Sequence, residues 1–155
     1  MSIFTWAYSE QVTTLALPEQ IWAMWQDAST WPCWDTELEW VRLEGEFVIG
    51  TVGLMKPTSG PEVKFRLSEV VPLRSFSSVA QLPLTRLVFN HEYLSSQEGD
   101  GAAQIRHSVT MYGLLTPLFG RLIGGKIKNH LRQAMQELSQ RALTGDKTLR
   151  TSGSI

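Results

Sequence analysis

Apolar and polar positions along the chain change period three times. In residues 3–16, Phe4, Trp6 and Tyr8 alternate with smaller or polar neighbours, and Val12, Thr13, Thr14 and Leu15 favour extended backbone, which predicts a first strand. The stretch IWAMWQDASTWPCWD, residues 21–35, then places four tryptophans within fifteen residues. Pro18 suits the first turn of a helix, and Ile21, Trp22 and Trp25 fall at helical spacing. The turn-prone DAST segment follows, and Pro32 opens a second short helix or a tight loop. The extended pattern then returns, with strands predicted near 39–44, 48–56, 61–71, 73–80, 84–95 and 102–112. Gly45, Pro57–Pro61, Pro72, Pro83 and the polar loop 97–101 break them apart.

From Leu114 to about Leu143 the period is helical. Leu115, Leu118, Phe119, Leu122, Ile123, Ile127, Leu131, Met135, Leu138 and Ala142 form an apolar stripe, with Lys128, Arg132, Gln136 and Gln140 among the polar remainder. Gly120, Gly124 and Gly125 interrupt the first half, each at a cost of about 1 kcal/mol relative to alanine. Such glycines either leave room for a ligand or strand beneath the helix, or mark a kink.

Strands joined by such short connections form an antiparallel meander. In 84–95, Leu87, Phe89, His91 and Tyr93 share one face; in 102–112, Ile105, His107, Val109 and Met111 do. A turn near Glu98–Gly99 makes these faces coincide and sets His91 across from His107. A sheet curling around one long helix buries both apolar faces. The expected class is α+β: a curved antiparallel sheet wrapped around a long C-terminal helix, with two short helices after the first strand. Residues 1–144 make one domain, and the polar residues 145–155 a flexible tail.

Composition narrows the function. A formal charge of −1 across 155 residues gives no electrostatic reason to bind nucleic acid. The single cysteine, Cys33, cannot form an internal disulfide, and the three histidines lack zinc-site spacing, so neither a metal nor a cofactor is expected. The N-terminus has no signal-peptide pattern and no stretch approaches the ~20 apolar residues of a membrane span, which gives a cytoplasmic protein without stable membrane insertion.

Several segments resemble the START-like superfamily, in its polyketide cyclase/dehydratase-like branch. They are LPEQIWAMWQD (17–27), WPCWD (31–35), GTVG (50–53), FNHEY (89–93) and RHSVTMYG (106–113), continuing into the glycine-interrupted helix. The resemblance spans roughly residues 5–143. It implies the helix-grip fold, and a groove between sheet and helix that encloses a small hydrophobic or amphipathic molecule, lipid-like or polyketide-like.

On that reading Trp25 and Trp31 form a pocket rim, because an indole offers flat apolar surface and one N–H donor, while Trp22 and Trp34 pack the interior. Met55, Phe65, Phe89, Val109, Met111, Leu118, Phe119, Leu122 and Ile123 line the cavity, and His91, Tyr93 and His107 orient the ligand's polar end. The alternative is an enzyme, a cofactor-independent cyclase or dehydratase with His91 and His107 as catalytic general acid and base. A third reading is a partner-binding module with an aromatic mouth. The basic side of the helix, with Arg121, Lys126, Lys128, Arg132 and Arg141, is either a solvated face or allows transient contact with anionic lipid. A monomer or a homodimer fits equally.

Overall fold

The computed structural model describes residues 2–96 and 102–148. Strand β1 (Thr5–Thr14) leads into helix α1 (Pro18–Trp25), a 3₁₀ turn at Ala28–Thr30 and helix α2 (Trp31–Trp34). Five strands follow: β2 (Leu38–Leu43), β3 (Val52–Pro57), β4 (Val63–Val71), β5 (Ser75–Leu82) and β6 (Thr85–Leu94). Strand β7 (Ala103–Gly113) then leads to helix α3 (Thr116–Phe119), a π-helical turn over Gly120–Gly124 and helix α4 (Gly125–Thr144).

The strands form one antiparallel sheet in the order β1-β7-β6-β5-β4-β3-β2. Every neighbour but one is joined by a short connection; β1 reaches β7, pairing Thr5 with Tyr112 and Thr14 with Ala103. The expected register holds, with Phe89 opposite Val109 and His91 opposite His107. The predicted turn at Glu98–Gly99 lies outside the described residues. Alternation does the sorting: Ala103, Ile105, His107, Val109 and Met111 of β7 are buried, while their neighbours in sequence are not. The third strand begins at Val52 rather than 48, because Val48–Gly50 turns and Gly50 takes φ 93°, a left-handed conformation open to glycine.

Helix α1 starts at Pro18, where the missing N–H costs nothing, and the Gln20 side chain accepts a hydrogen bond from the Leu17 N–H at 2.8 Å. The second half of the long helix seats Ala134, Met135, Leu138 and Ala142 in the core, and its backbone runs close to α1, α2 and β1. Thr14 and Ser139 share a buried hydroxyl hydrogen bond of 2.6 Å that fixes this helix against the end of β1. Gly145, at φ 70°, ends the helix in the left-handed cap position. Residues 146–148 then turn back along α2: the Cys33 thiol donates to the Lys147 carbonyl at 3.0 Å, and Lys147 Nζ lies 3.5 Å from an Asp27 carboxylate oxygen. Residues 149–155 of the expected tail fall outside the described residues.

Candidate functional site

The sheet and the long helix meet differently at their two ends. At the end closed by α1 and α2, aromatic rings fill the space between them. Trp25 stands against Phe76, His91 and His107, with ring centroids 5.5, 6.0 and 5.9 Å away. Trp31 stacks on Phe76 at 5.6 Å and on His91 at 6.4 Å, and tilts against Phe65 at 5.8 Å. Trp34 meets His107 edge-on at 5.9 Å. Trp25 is fully buried and Trp31 nearly so. The expectation that these two indoles form a rim is therefore corrected: helix α1 turns Trp25 inward together with Ile21 and Trp22, and all four tryptophans of the segment join the core. A side chain of this size removes about 200 Å² from water, an upper figure near 5 kcal/mol at about 25 cal/mol per Å².

His91 and His107 sit within this cluster, their rings 4.5 Å apart and nearly perpendicular. His91 lies flat on Phe76 at 4.0 Å, and its Nδ1 is 3.4 Å from the Phe76 carbonyl. Burial holds the His91 imidazolium down to a pKa of about 3. Burial, and then the proximity of His91, push His107 well below its ordinary value. Both rings are neutral at physiological pH, and a base whose conjugate acid has a pKa near 3 removes a proton weakly. Three buried polar atoms of this cluster have no hydrogen-bond partner among the described residues: His107 Nε2, Trp25 Nε1 and Trp34 Nε1. Two are donors; the imidazole nitrogen donates or accepts according to its tautomer.

The opposite end is looser. Phe89 points inward from the central strand β6, yet it is only half-buried, and so are Val63, Leu82, Phe119, Ile123, Ile127 and Leu131, all packed against the core. The long helix runs alongside β1 and β7 there, and its closest backbone neighbours do not include β3, β4 or β5. An apolar seam results between the middle of the sheet and the helix. On the first turns of α4 the Lys126 ammonium meets the Ser59 hydroxyl of the β3–β4 loop, and His130 Nδ1 lies 3.4 Å from a Glu37 carboxylate oxygen.

Of the residues expected to line a cavity, Phe89, Phe119 and Ile123 border this seam, while Met55, Phe65, Val109 and Met111 are buried in the core beside or beneath it. Leu118 and Leu122 do not line it. They are 49% and 59% exposed, because the π-helical turn at Gly120–Gly124 carries extra residues per turn and sets Leu118 before it and Leu122 within it off the stripe that α4 continues. Tyr93 spends its hydroxyl on the Ala16 carbonyl at 2.7 Å, which ties β6 to the start of α1 instead of orienting a ligand. The glycines serve close packing: a Cβ on Gly124 would stand 2.8 Å from the Trp6 ring, one on Gly120 would touch the same ring at 3.5 Å, and one on Gly125 would meet nothing within 4 Å.

Two depressions of about 460 and 410 Å³ lie elsewhere. The first is polar and sits on the outer face of the sheet around Ser9, Asn90, Glu92 and Arg106; the second lies between α1 and the end of α4. Neither is the apolar enclosure expected between sheet and helix. Sequence reasoning passed over Asp35, at the end of α2. Its carboxylate accepts the Glu37 N–H at 3.0 Å, and removal from water pushes its pKa up to about 6.

No family model matches the sequence, and no curated protein does. Solved structures do match the fold. A truncated norcoclaurine synthase from Thalictrum flavum superposes with a TM-score of 0.67 at 15% identity, over 90% of this chain and 94% of that one. The same enzyme in complex with dopamine and hydroxybenzaldehyde gives 0.67 at 15% identity, over 92% and 88%. Ara h 8.0201 gives 0.69 at 13% identity, over 90% and 99%. The shared fold is a helix grip, a curved antiparallel sheet closed on a long terminal helix. At such identities the likeness is one of architecture, and it agrees with the sheet order, the paired short helices and the long terminal helix described above.

Proposed function

We propose that this helix-grip protein binds a small amphipathic molecule along the apolar seam between sheet and long helix, and that binding rather than catalysis is its role. The observation carrying this reading is the half-buried state of Phe89, an inward-facing aromatic on the central strand that a fully packed interior would cover. Phe119, Ile123 and Ile127 offer the opposing apolar wall. His91 and His107 lie one and two steps from this wall through the register, His91 two residues beyond Phe89 on the same face and His107 directly across from it. A ligand hydroxyl or carbonyl reaching the unpartnered His107 Nε2 and the Trp25 and Trp34 N–H groups would supply the hydrogen bonds they lack. The depressed basicity of both imidazoles and their aromatic enclosure favour this orienting role over acid–base chemistry. A structure of the same fold holding dopamine and hydroxybenzaldehyde supports a phenol-sized guest.

Displacement of a fluorescent apolar probe tests the reading. Phenols and medium-chain alcohols should displace it at least tenfold better than alkylbenzenes and alkanes of matched size. Phe89→Ala and Ile127→Asp should each weaken them by a similar factor or more. No displacement by any of these compounds, or displacement indifferent to both substitutions, overturns the proposal.

A further inference from the structure

Exposed apolar side chains are unevenly distributed. At the end of the sheet where β1 begins and β7 finishes, Ile3, Phe4, Leu84, Leu114, Leu118 and Leu122 all face solvent. Backbone hydrogen bonds draw the first four together: the Gly113 N–H donates to the Phe4 carbonyl at 3.1 Å, and the Leu114 N–H to the Leu84 carbonyl at 2.9 Å. Leu118 and Leu122 continue the patch along the helix that starts two residues after Leu114. Leu84 is 65% exposed and takes φ 51°, a left-handed conformation that glycine or asparagine adopts at lower cost. A leucine there neither packs into the core nor suits its backbone.

Charge is segregated in the same place. The stretches that carry these apolar residues, 2–9, 77–89 and 108–128, contain no aspartate or glutamate; the acidic residues at this end, Glu37, Glu39 and Glu62, lie about the start of β2 and in the β3–β4 loop. The same three stretches contribute Arg86, Arg121, Lys126 and Lys128, whose positions rim the leucines. Two copies of this chain meeting through the patch would bring like charges together, whereas an anionic surface satisfies the leucines and the cations at once.

We propose that this end of the molecule docks reversibly on an anionic lipid bilayer, with Leu84, Leu114, Leu118 and Leu122 entering the headgroup–acyl boundary and Arg86, Arg121 and Lys126 at the level of the phosphates. Neither signal suffices alone: a few leucines partition weakly, and cations without apolar insertion are displaced by salt. The attachment is peripheral, since no helix among the described residues is long and apolar enough to cross a membrane. It rests on the exposed surface and holds whether or not the seam takes a ligand.

Cosedimentation of the full chain with sucrose-loaded vesicles tests the proposal. Vesicles of phosphatidylcholine with 30% phosphatidylglycerol should retain the protein at least tenfold better than phosphatidylcholine alone, with the excess lost at 0.5 M salt. The double substitution Leu84→Asp/Leu118→Asp should lower retention at least tenfold, and Arg86→Glu/Arg121→Glu by a similar factor. Leu15→Asp/Leu17→Asp, on exposed leucines at the other end of β1, should leave it unchanged. All these positions are exposed, and far-ultraviolet circular dichroism verifies that the variants fold. Three results overturn the proposal: no retention by anionic vesicles, equal loss in the Leu15/Leu17 control, or a concentration-dependent dimer abolished by Leu84→Asp/Leu118→Asp without vesicle binding, which would assign the patch to a second copy.

Discussion

The two halves of the long helix are built for different neighbours. The half ending at Thr144 carries Met135, Leu138 and Ala142 into a core of rings donated by α1, α2 and the sheet, and its outer side is polar. The half beginning at Thr116 carries three glycines, a π-helical turn and two leucines that face solvent. One continuous helix thus serves as anchor at one end and as one side of the seam at the other. The denser packing lies in the first and the proposed binding regions lie in the second, as expected where binding regions are drawn from the less densely packed part of a domain.

The sharpest way to break this contrast is to truncate one large side chain at each end. Trp25→Ala should cost about 3–5 kcal/mol in urea unfolding, as for other buried aromatics, whereas Leu122→Ser should stay within about 0.5 kcal/mol of the parent. Comparable losses would mean that the two halves are packed alike.

Acid should act on the anchored end next most strongly. His91 and His107 stay neutral in the folded protein, while in the unfolded chain they take up protons below about pH 6.5. Stability present at neutral pH is therefore lost as pH falls, until His91 itself protonates at about 3. By pH 5 the His91 ring should cost about 2 kcal/mol, and His107 acts in the same sense. Asp35 works in the opposite sense: with a folded pKa of about 6 it binds a proton more readily folded than unfolded, and returns about 1 kcal/mol between pH 6 and 5. Urea titrations at pH 7 and pH 5 should differ by a net loss of at least about 1 kcal/mol. The loss should deepen by about 1 kcal/mol in Asp35→Asn, and most of it should vanish when both histidines are replaced by leucine.

The smallest effect separates adjacent glycines. Gly125→Ala adds a methyl group to open space and should stabilise by about 0.5–1 kcal/mol through helix propensity. Gly124→Ala forces that methyl against the Trp6 ring and should destabilise by about 1 kcal/mol despite the same propensity gain. Thermal unfolding of the two variants, with Tm shifts of opposite sign, checks both.

Most of the architecture was legible because alternation is local. The inward set of β7 and the pairing of His91 with His107 follow from a two-residue period, and Pro18 marks where α1 starts. Depth was not legible in the same way. Trp25 and Trp22 share a helical spacing with any amphipathic segment, so nothing in the spacing says which indole reaches Phe76 and which faces Phe47. The stripe through Leu118 and Leu122 misled for a specific reason: a 3.6-residue period read straight across Gly120–Gly124 ignores the phase shift that a π-helical turn introduces. The glycines announced a close approach, but nothing in their spacing names the approaching group, Trp6, which lies ninety residues or more away in the chain.

The pairing of β1 with β7 also sets an order of events during synthesis. Strand β1 leaves the ribosome before the other six strands, yet its lateral neighbour among the described residues, β7, is separated from it by some ninety residues. Hairpins among the later strands can close as they emerge, each over a short loop. Strand β1, with Trp6 and Tyr8 along it, must wait without that partner until β7 has emerged.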